Sequence, residues 1–193
     1  MPELPEVETV ARALQSLVTD RRIERAELRR ARLAPDTTPA AFARKLKDEM
    51  INHVHRRGKH ILFDLTGGKT LIAHLRMSGR FLLLTEDLVD PKFAHAVLHF
   101  TDGMRLVFDD QRHFGLMKIV KTADLDATKE LKNLAPEPFS DEFSIRYLTR
   151  VSRASKRSLK EFPHAKSHAS IYSSFTTEEQ RREDTIPERR GSS

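Results

Sequence analysis

The sequence predicts an α+β fold, mainly β: an antiparallel β-sandwich flanked by an N-terminal helix and one or two further helices, then a helical segment and a disordered tail. Three observations carry this. An apolar stripe at helical spacing opens the chain. Between residues 51 and 120, short apolar runs alternate with turn residues. After residue 160, large apolar side chains become scarce. Strands at short spacing joined by tight turns form sandwiches more readily than parallel sheets.

Each element has a local reason. Val7, Val10, Ala11, Leu14, Leu17 and Val18 recur at helical spacing and predict a helix over residues 5–17. Proline suits its first turn, and Glu3, Glu6 and Glu8 complement the positive end of its dipole. Residues 23–33 mix charged and apolar side chains and read as a strand plus loop. Thr38-Pro39 caps a short helix over residues 40–48. Ile61, Phe63 and Leu65 alternate, and Gly67-Gly68 turns the chain into a strand over residues 70–75. Residues 80–84 form another strand. Strands over residues 95–100 and 104–108 flank Thr101-Asp102-Gly103, a hairpin signal, and residues 115–121 supply one more. Residues 124–134 read as helical, and Ala135-Pro136-Glu137-Pro138 as a rigid break. Ser140 is expected to cap a helix through Phe143, Tyr147, Leu148 and Val151, with Asp141 and Glu142 in its first turn. Residues 163–193 are polar, with only Ile171, Tyr172, Phe175 and Ile186 as large apolar residues, and are expected to be disordered. The domain reading is a β-sandwich over residues 1–135, the start of a helical domain over 136–160, and a divergent tail over 161–193. No internal repeat is visible.

Bulk properties narrow the function classes. A chain of 193 residues holds one domain, or one domain and a tail. Its net charge of +6 suits a polyanionic partner, although many soluble proteins are as basic. The absence of cysteine excludes disulfides and cysteine-ligated zinc. No apolar run approaches the ~18 residues of a membrane span, and no basic-then-apolar segment opens the chain as a signal peptide would. The expectation is a bacterial cytoplasmic monomer without cofactor or metal.

Several groups can do chemistry. If Met1 is removed, Pro2 becomes a free secondary amine. An α-amino group titrates near ~7.7–8.0, so about a tenth is neutral at pH 7, against under about a thousandth of a lysine. Attack of such an amine on an aldehyde carbon gives a cationic iminium, an electron sink, and Glu3 next to it can move protons. The alternative reading is a plain helix start. His55-Arg56-Arg57-Gly58-Lys59-His60 is a basic turn in which glycine lets phosphate approach the backbone; the alternative is a solvated loop. His74-Leu75-Arg76-Met77-Ser78-Gly79 ends a strand in a turn, where methionine would ordinarily be core filler. In Asp109-Asp110-Gln111-Arg112-His113-Phe114-Gly115, an extended segment would point Arg112 and Phe114 the same way and His113 elsewhere. Asp109 and Asp110 stand where they could order Arg112. His95 follows Lys92-Phe93 before a strand and reads on its own as a surface histidine.

The opening Met1-Pro2-Glu3-Leu4-Pro5-Glu6-Val7-Glu8-Thr9-Val10 closely resembles the N-terminus of formamidopyrimidine-DNA glycosylases, bacterial enzymes that excise oxidised purines. The other motifs follow in the family's order. The resemblance implies that Pro2 is the nucleophile, that Glu3 is the acid/base, and that Lys59 reaches the DNA near the lesion. It implies that Met77 enters the base stack at the vacated site, with His74 in the same motif. Arg112 would pair with the base left behind and Phe114 would wedge between bases. Extruding a nucleotide costs a few kcal/mol, which inserted side chains partly offset. The family's usual second arginine is His113 here, so a phosphate contact from it would be weaker or pH-dependent. His95 matches a backbone-contacting position. Met77, Arg112 and Phe114 together favour the oxidised-purine enzymes over the endonuclease VIII branch. The implied partner is damaged double-stranded DNA.

The resemblance runs from Pro2 to about Lys160. It includes Asn133-Leu134-Ala135-Pro136-Glu137-Pro138 and Ser155-Lys156-Arg157, where Lys156 is an expected DNA contact. It then stops abruptly. The family's helix-two-turn-helix and four-cysteine zinc finger have no match: Pro163 would break the helix, and residues 161–193 contain no asparagine to grip phosphate. A frame change, a gene truncation or a shortened variant gives this look. Two functions follow: an oxidised-purine glycosylase and abasic-site lyase, or a truncated remnant of weak or no activity that retains binding to damaged DNA.

Overall fold

The computed structural model of the chain describes residues 2–138 and 140–153. Lys156 and the expected tail over residues 161–193 lie outside the described residues. The chain divides after Asn133 into two units.

In the first unit, helix α1 (Leu4–Val18) leads into strand β1 (Ile23–Leu28), a 3-10 turn (Ala31–Leu33) and helix α2 (Pro39–Leu46). Seven strands follow: β2 (Ile51–Arg57), β3 (His60–Leu65), β4 (Lys69–His74), β5 (Gly79–Thr85), β6 (Ala94–Phe100), β7 (Met104–Asp110) and β8 (Leu116–Lys121). They form two four-stranded antiparallel sheets, in the orders β1-β6-β7-β5 and β2-β3-β4-β8. The fold class is the expected one: mainly β, two antiparallel sheets, a few helices.

Alternation drives the packing. Val54, Ile61, Phe63, Leu71 and Ala73 share the inward face of one sheet, and Ala96, Leu98, Leu106 and Phe108 that of the other. Phe63, Phe81 and Phe108 meet edge to face across this core, with centroids 5.5 and 5.1 Å apart. Helix α1 covers β2 and α2 covers β1. Thr38 caps α2 as expected, its hydroxyl accepting the Ala41 N–H at 3.2 Å. Leu62 and Ile72 point to the outer face and are nonetheless buried. Lys118, paired with Ile72, reaches Glu130 at 3.3 Å and so draws the segment after β8 over this face.

That segment departs from expectation. A 3-10 turn (Thr122–Asp124) leads into successive tight turns over residues 125–133, where the sequence predicts a helix over 124–134. Most backbone bonds there span three residues, and the Thr128 hydroxyl donates to Leu125 O at 2.8 Å, competing with the helical ladder. In the second unit, helix α3 (Ile145–Arg153) starts after Ser144, whose hydroxyl accepts the Tyr147 N–H at 3.2 Å. Ser140 closes its own turn by donating to Glu137 O, so Asp141 and Glu142 precede the helix.

Candidate active site and nucleic-acid interface

Strand register gathers the sequence motifs at one end of the sandwich. Arg57 pairs with His60, His60 with His74, and His74 with Leu116. In the other sheet, Gly79 pairs with Asp110. The Gly58-Lys59 turn therefore lies at the same end as two crossovers between the sheets, β4 to β5 and β7 to β8. Met77 stands on one crossover, Arg112 and Phe114 on the other.

The start of α1 reaches this end. The Glu3 N–H donates to Glu6 Oε2 at 2.7 Å, and Glu3 O accepts the Val7 N–H at 3.1 Å. Arg56 of β2 grips Glu8 at 2.6 Å, and the Arg12 and Arg56 guanidiniums outweigh burial to hold the Glu8 carboxyl below its usual range. The Lys59 ammonium, 11% exposed, donates to Glu3 Oε2 at 3.0 Å, while the Glu3 side chain is 61% exposed. Pro2 lines a groove of about 540 Å³ with Glu6, Val10, Leu75, Met77 and Phe81.

The two crossovers are strapped together by Asp110, which is fully buried. One carboxylate oxygen accepts from the Ser78 hydroxyl and from the Arg112 N–H; the other accepts the Gly115 N–H at 2.7 Å. The Arg112 N–H also reaches Ser78 Oγ at 3.0 Å. Burial alone would raise the Asp110 pKa, but bonds from Ser78, Gly115, Arg112 and Phe114 outweigh it and hold the carboxyl below its usual range. Asp110 thus orders Arg112 through its backbone, as its position suggested. Asp109 pairs with Arg80 at 2.9 Å instead. Each crossover holds one non-glycine residue in the left-handed region, Arg76 at φ 55° and His113 at φ 60°. The turn at His113, not an extended strand, brings the Arg112 guanidinium to 5.3 Å from the Phe114 ring centre. Phe114 remains 50% exposed and Met77 47%, so Met77 is not core filler.

The histidines differ from the surface groups a sequence reading suggests. His95 is buried; its Nε2 lies 2.7 Å from His113 Nδ1 and 2.9 Å from Asp110 O. The expectation of a surface histidine fails because β6 turns this ring under the Arg112 crossover. His74 is buried too, and its Nδ1 accepts the Arg76 N–H at 3.0 Å. Burial first, then the neighbouring His60, Arg76 and Lys59, push its pKa down to about 3, so the ring is neutral near pH 7. Sequence reasoning passed over Ser78, Gly79 and Gly115. A Cβ on Gly79 would lie 2.5 Å from Leu75 O, and one on Gly115 would lie 2.6 Å from the Phe108 ring. The available signal was the glycine that closes each of the two motifs.

The sequence model of the formamidopyrimidine-DNA glycosylase N-terminal domain matches residues 1–117. The chain belongs to the formamidopyrimidine-DNA glycosylase family. It is 39% identical over 160 residues to the formamidopyrimidine-DNA glycosylase of Streptococcus pneumoniae, a match covering 83% of this chain and 58% of that protein. With the Listeria innocua enzyme it shares 39% over 157 residues, covering 81% and 57%. Among solved structures it is similar to the Lactococcus lactis protein in complex with abasic-site DNA, with a TM-score of 0.79, 29% identity, and coverage of 86% of this chain and 61% of that one. The same protein bound to DNA containing FAPY-dG matches with a TM-score of 0.78 at 29% identity, covering 86% and 62%. The chain spans under two thirds of the length of these relatives. Among the described residues, no helix is long and apolar enough to cross a membrane.

Proposed function

We propose that this end of the sandwich is the chemical centre of a base-excision glycosylase and abasic-site lyase acting on oxidised purines in double-stranded DNA. The reading is supported by one observation above all: the Pro2 groove, the Glu3–Lys59 pair and the exposed Met77, Arg112 and Phe114 share one end of the part that matches the family. With Met1 removed, the Pro2 nitrogen attacks C1′ of an extruded nucleotide. The bond from C1′ to the base nitrogen breaks and the base leaves with the proton lost from the Pro2 nitrogen; the C1′–O4′ bond then opens, O4′ takes a proton, and the ring-opened iminium forms. Loss of a proton at C2′ then expels the 3′ phosphate, and a second elimination expels the 5′ phosphate. Glu3 moves protons at the sugar ring. Lys59 holds Glu3 and supplies positive charge beside the sugar or its phosphate. Met77, Arg112 and Phe114 fill the gap left in the duplex. His74, His95 and His113 act through the turns that they hold, and Lys156 is a further proposed DNA contact.

Borohydride trapping tests this. Purified full chain, with its N-terminus defined by mass spectrometry, is mixed with duplex containing 8-oxoguanine or an abasic site at low salt. A covalent adduct with both, lost when the N-terminus is chemically blocked, is the expected result. An adduct with neither removes the enzyme reading. A second reading is binding to damaged DNA without turnover. It predicts retention of abasic duplex in a gel shift with no adduct.

A further inference from the structure

A second cluster of chemically capable side chains lies on the outer face of the β2–β3 hairpin and takes no part in the proposed DNA chemistry. His53 and His55 are two residues apart on β2 and share a face. Register places Asp64 of β3 opposite His53. The two imidazoles stack with centroids 5.0 Å apart. Asp64 Oδ2 lies 3.1 Å from His55 Nε2 and 3.9 Å from His53 Nδ1, and the three donor atoms all fall within 4.8 Å of one another. The other carboxylate oxygen is already engaged: buried Thr70 donates to Asp64 Oδ1 at 2.9 Å, and Thr70 Oγ1 lies 3.0 Å from Thr122 Oγ1. Thr70 therefore fixes the carboxylate with its second oxygen facing both rings.

We infer that His53, His55 and Asp64 bind one divalent late first-row transition ion, with Zn²⁺ as the reference case. Two imidazoles and one carboxylate are a donor set suited to zinc, nickel or copper and not to calcium or magnesium, which take oxygen ligands. Metal–donor bonds of ~2.0–2.1 Å in a tetrahedral site set donors about 3.3–3.4 Å apart. The two distances to Asp64 Oδ2, 3.1 and 3.9 Å, bracket that spacing, and all three donors lie within 4.8 Å, so side-chain rotations that draw the two rings together complete the site. Thr70 supplies the outer hydrogen bond that orients a ligating carboxylate. A fourth position stays open to water. The bound ion ties β2 to β3 just before the turn that carries Lys59.

Calorimetric titration of the chelator-stripped full chain with Zn²⁺ tests this, with thermal unfolding as a second readout. One Zn²⁺ should bind per chain, with a melting temperature raised by about 5 °C at a hundredfold excess over the dissociation constant. His53→Gln, His55→Gln and Asp64→Asn should each weaken binding at least tenfold. Thr70→Val, which touches the site only through Asp64, should weaken it by about tenfold. A control variant, His164→Gln with His168→Gln, should bind as the parent does. The inference is overturned if no binding is seen at millimolar Zn²⁺. It is equally overturned if the His53→Gln/His55→Gln double variant binds as tightly as the parent, or if the His164/His168 control abolishes binding.

Discussion

Replacing Asp110 by asparagine isolates the strap between the two crossovers. The carboxylate is fully buried and accepts from the Ser78 hydroxyl and from the backbone N–H groups of Arg112, Gly115 and Phe114. Asparagine keeps one acceptor oxygen and turns an NH₂ group toward donors that already point inward. About two charge-assisted bonds are lost, each worth ~1.5–3 kcal/mol, and partial relaxation leaves an expected destabilisation of about 3–5 kcal/mol. That is a large share of the ~5–15 kcal/mol that holds a domain folded. Urea unfolding followed by circular dichroism measures the gap between parent and variant. Because the folded Asp110 pKa lies below its usual value, its contribution is fully present above the unfolded value near ~3.9 and is lost as pH falls through the folded one. The gap should therefore be constant from pH 7 to about pH 5 and narrow in stronger acid. A gap under ~1 kcal/mol at pH 7, or one that widens in acid, would refute the assignment of Asp110 as the strap.

Other predictions follow from the same geometry. His60, His74, His95 and His99 are all held below the ordinary imidazole value, burial being the first cause in each. The unfolded chain takes up these protons near pH ~6.5 and the fold resists them, so stability should fall as pH drops below that value, by up to ~1.4 kcal/mol per pH unit for each histidine. A melting temperature that stays flat between pH 7 and pH 5 contradicts this. Met77→Ala, Arg112→Ala and Phe114→Ala should each leave stability within ~0.5 kcal/mol, since these side chains are exposed; each should lower the yield of borohydride adduct at least tenfold, and a large stability loss would mean the side chain is packed. Gly115→Ala should cost about 2–3 kcal/mol by driving a Cβ against the Phe108 ring, whereas Arg76→Gly should stabilise by up to ~1 kcal/mol by relieving a left-handed backbone; chemical denaturation checks both, and a neutral Gly115→Ala would show that the ring can give way.

Much of this fold was legible because its cues are local. The stripe from Val7 to Val18, Thr38 ahead of α2 and the Asp102-Gly103 hairpin each act within a few residues, and the structure places elements there. The failures are tertiary. Residues 124–134 have helical composition but are drawn over the outer face of a sheet by Lys118 and Glu130. His95 reads as a surface group because histidine is usually exposed, yet strand alternation sends its ring beneath a turn. At the candidate site, residue types and order were legible, and the mechanical link between motifs was not. Nothing near Met77 in sequence announces that Ser78 will bond to Asp110, thirty-two residues away.

That link bears on how the site works. Both wedge-bearing turns are crossovers between sheets, so neither belongs to one sheet's hydrogen-bond ladder. A crossover alone would be a loose support for residues that, under the proposed function, enter a base stack against a cost of a few kcal/mol. Asp110 closes the two loops on each other, and His95 and His74 fix the backbone beneath them. Glycines at 79 and 115 let the loops press on Phe108, a ring of the central core. Under the proposed function, insertion is therefore braced against the sandwich interior and not against a flexible turn. On that proposal the unit supplies rigidity at the point where a duplex must yield, and a perturbation of Asp110 or Phe108 should lower the yield of borohydride adduct even though neither side chain is placed to touch DNA.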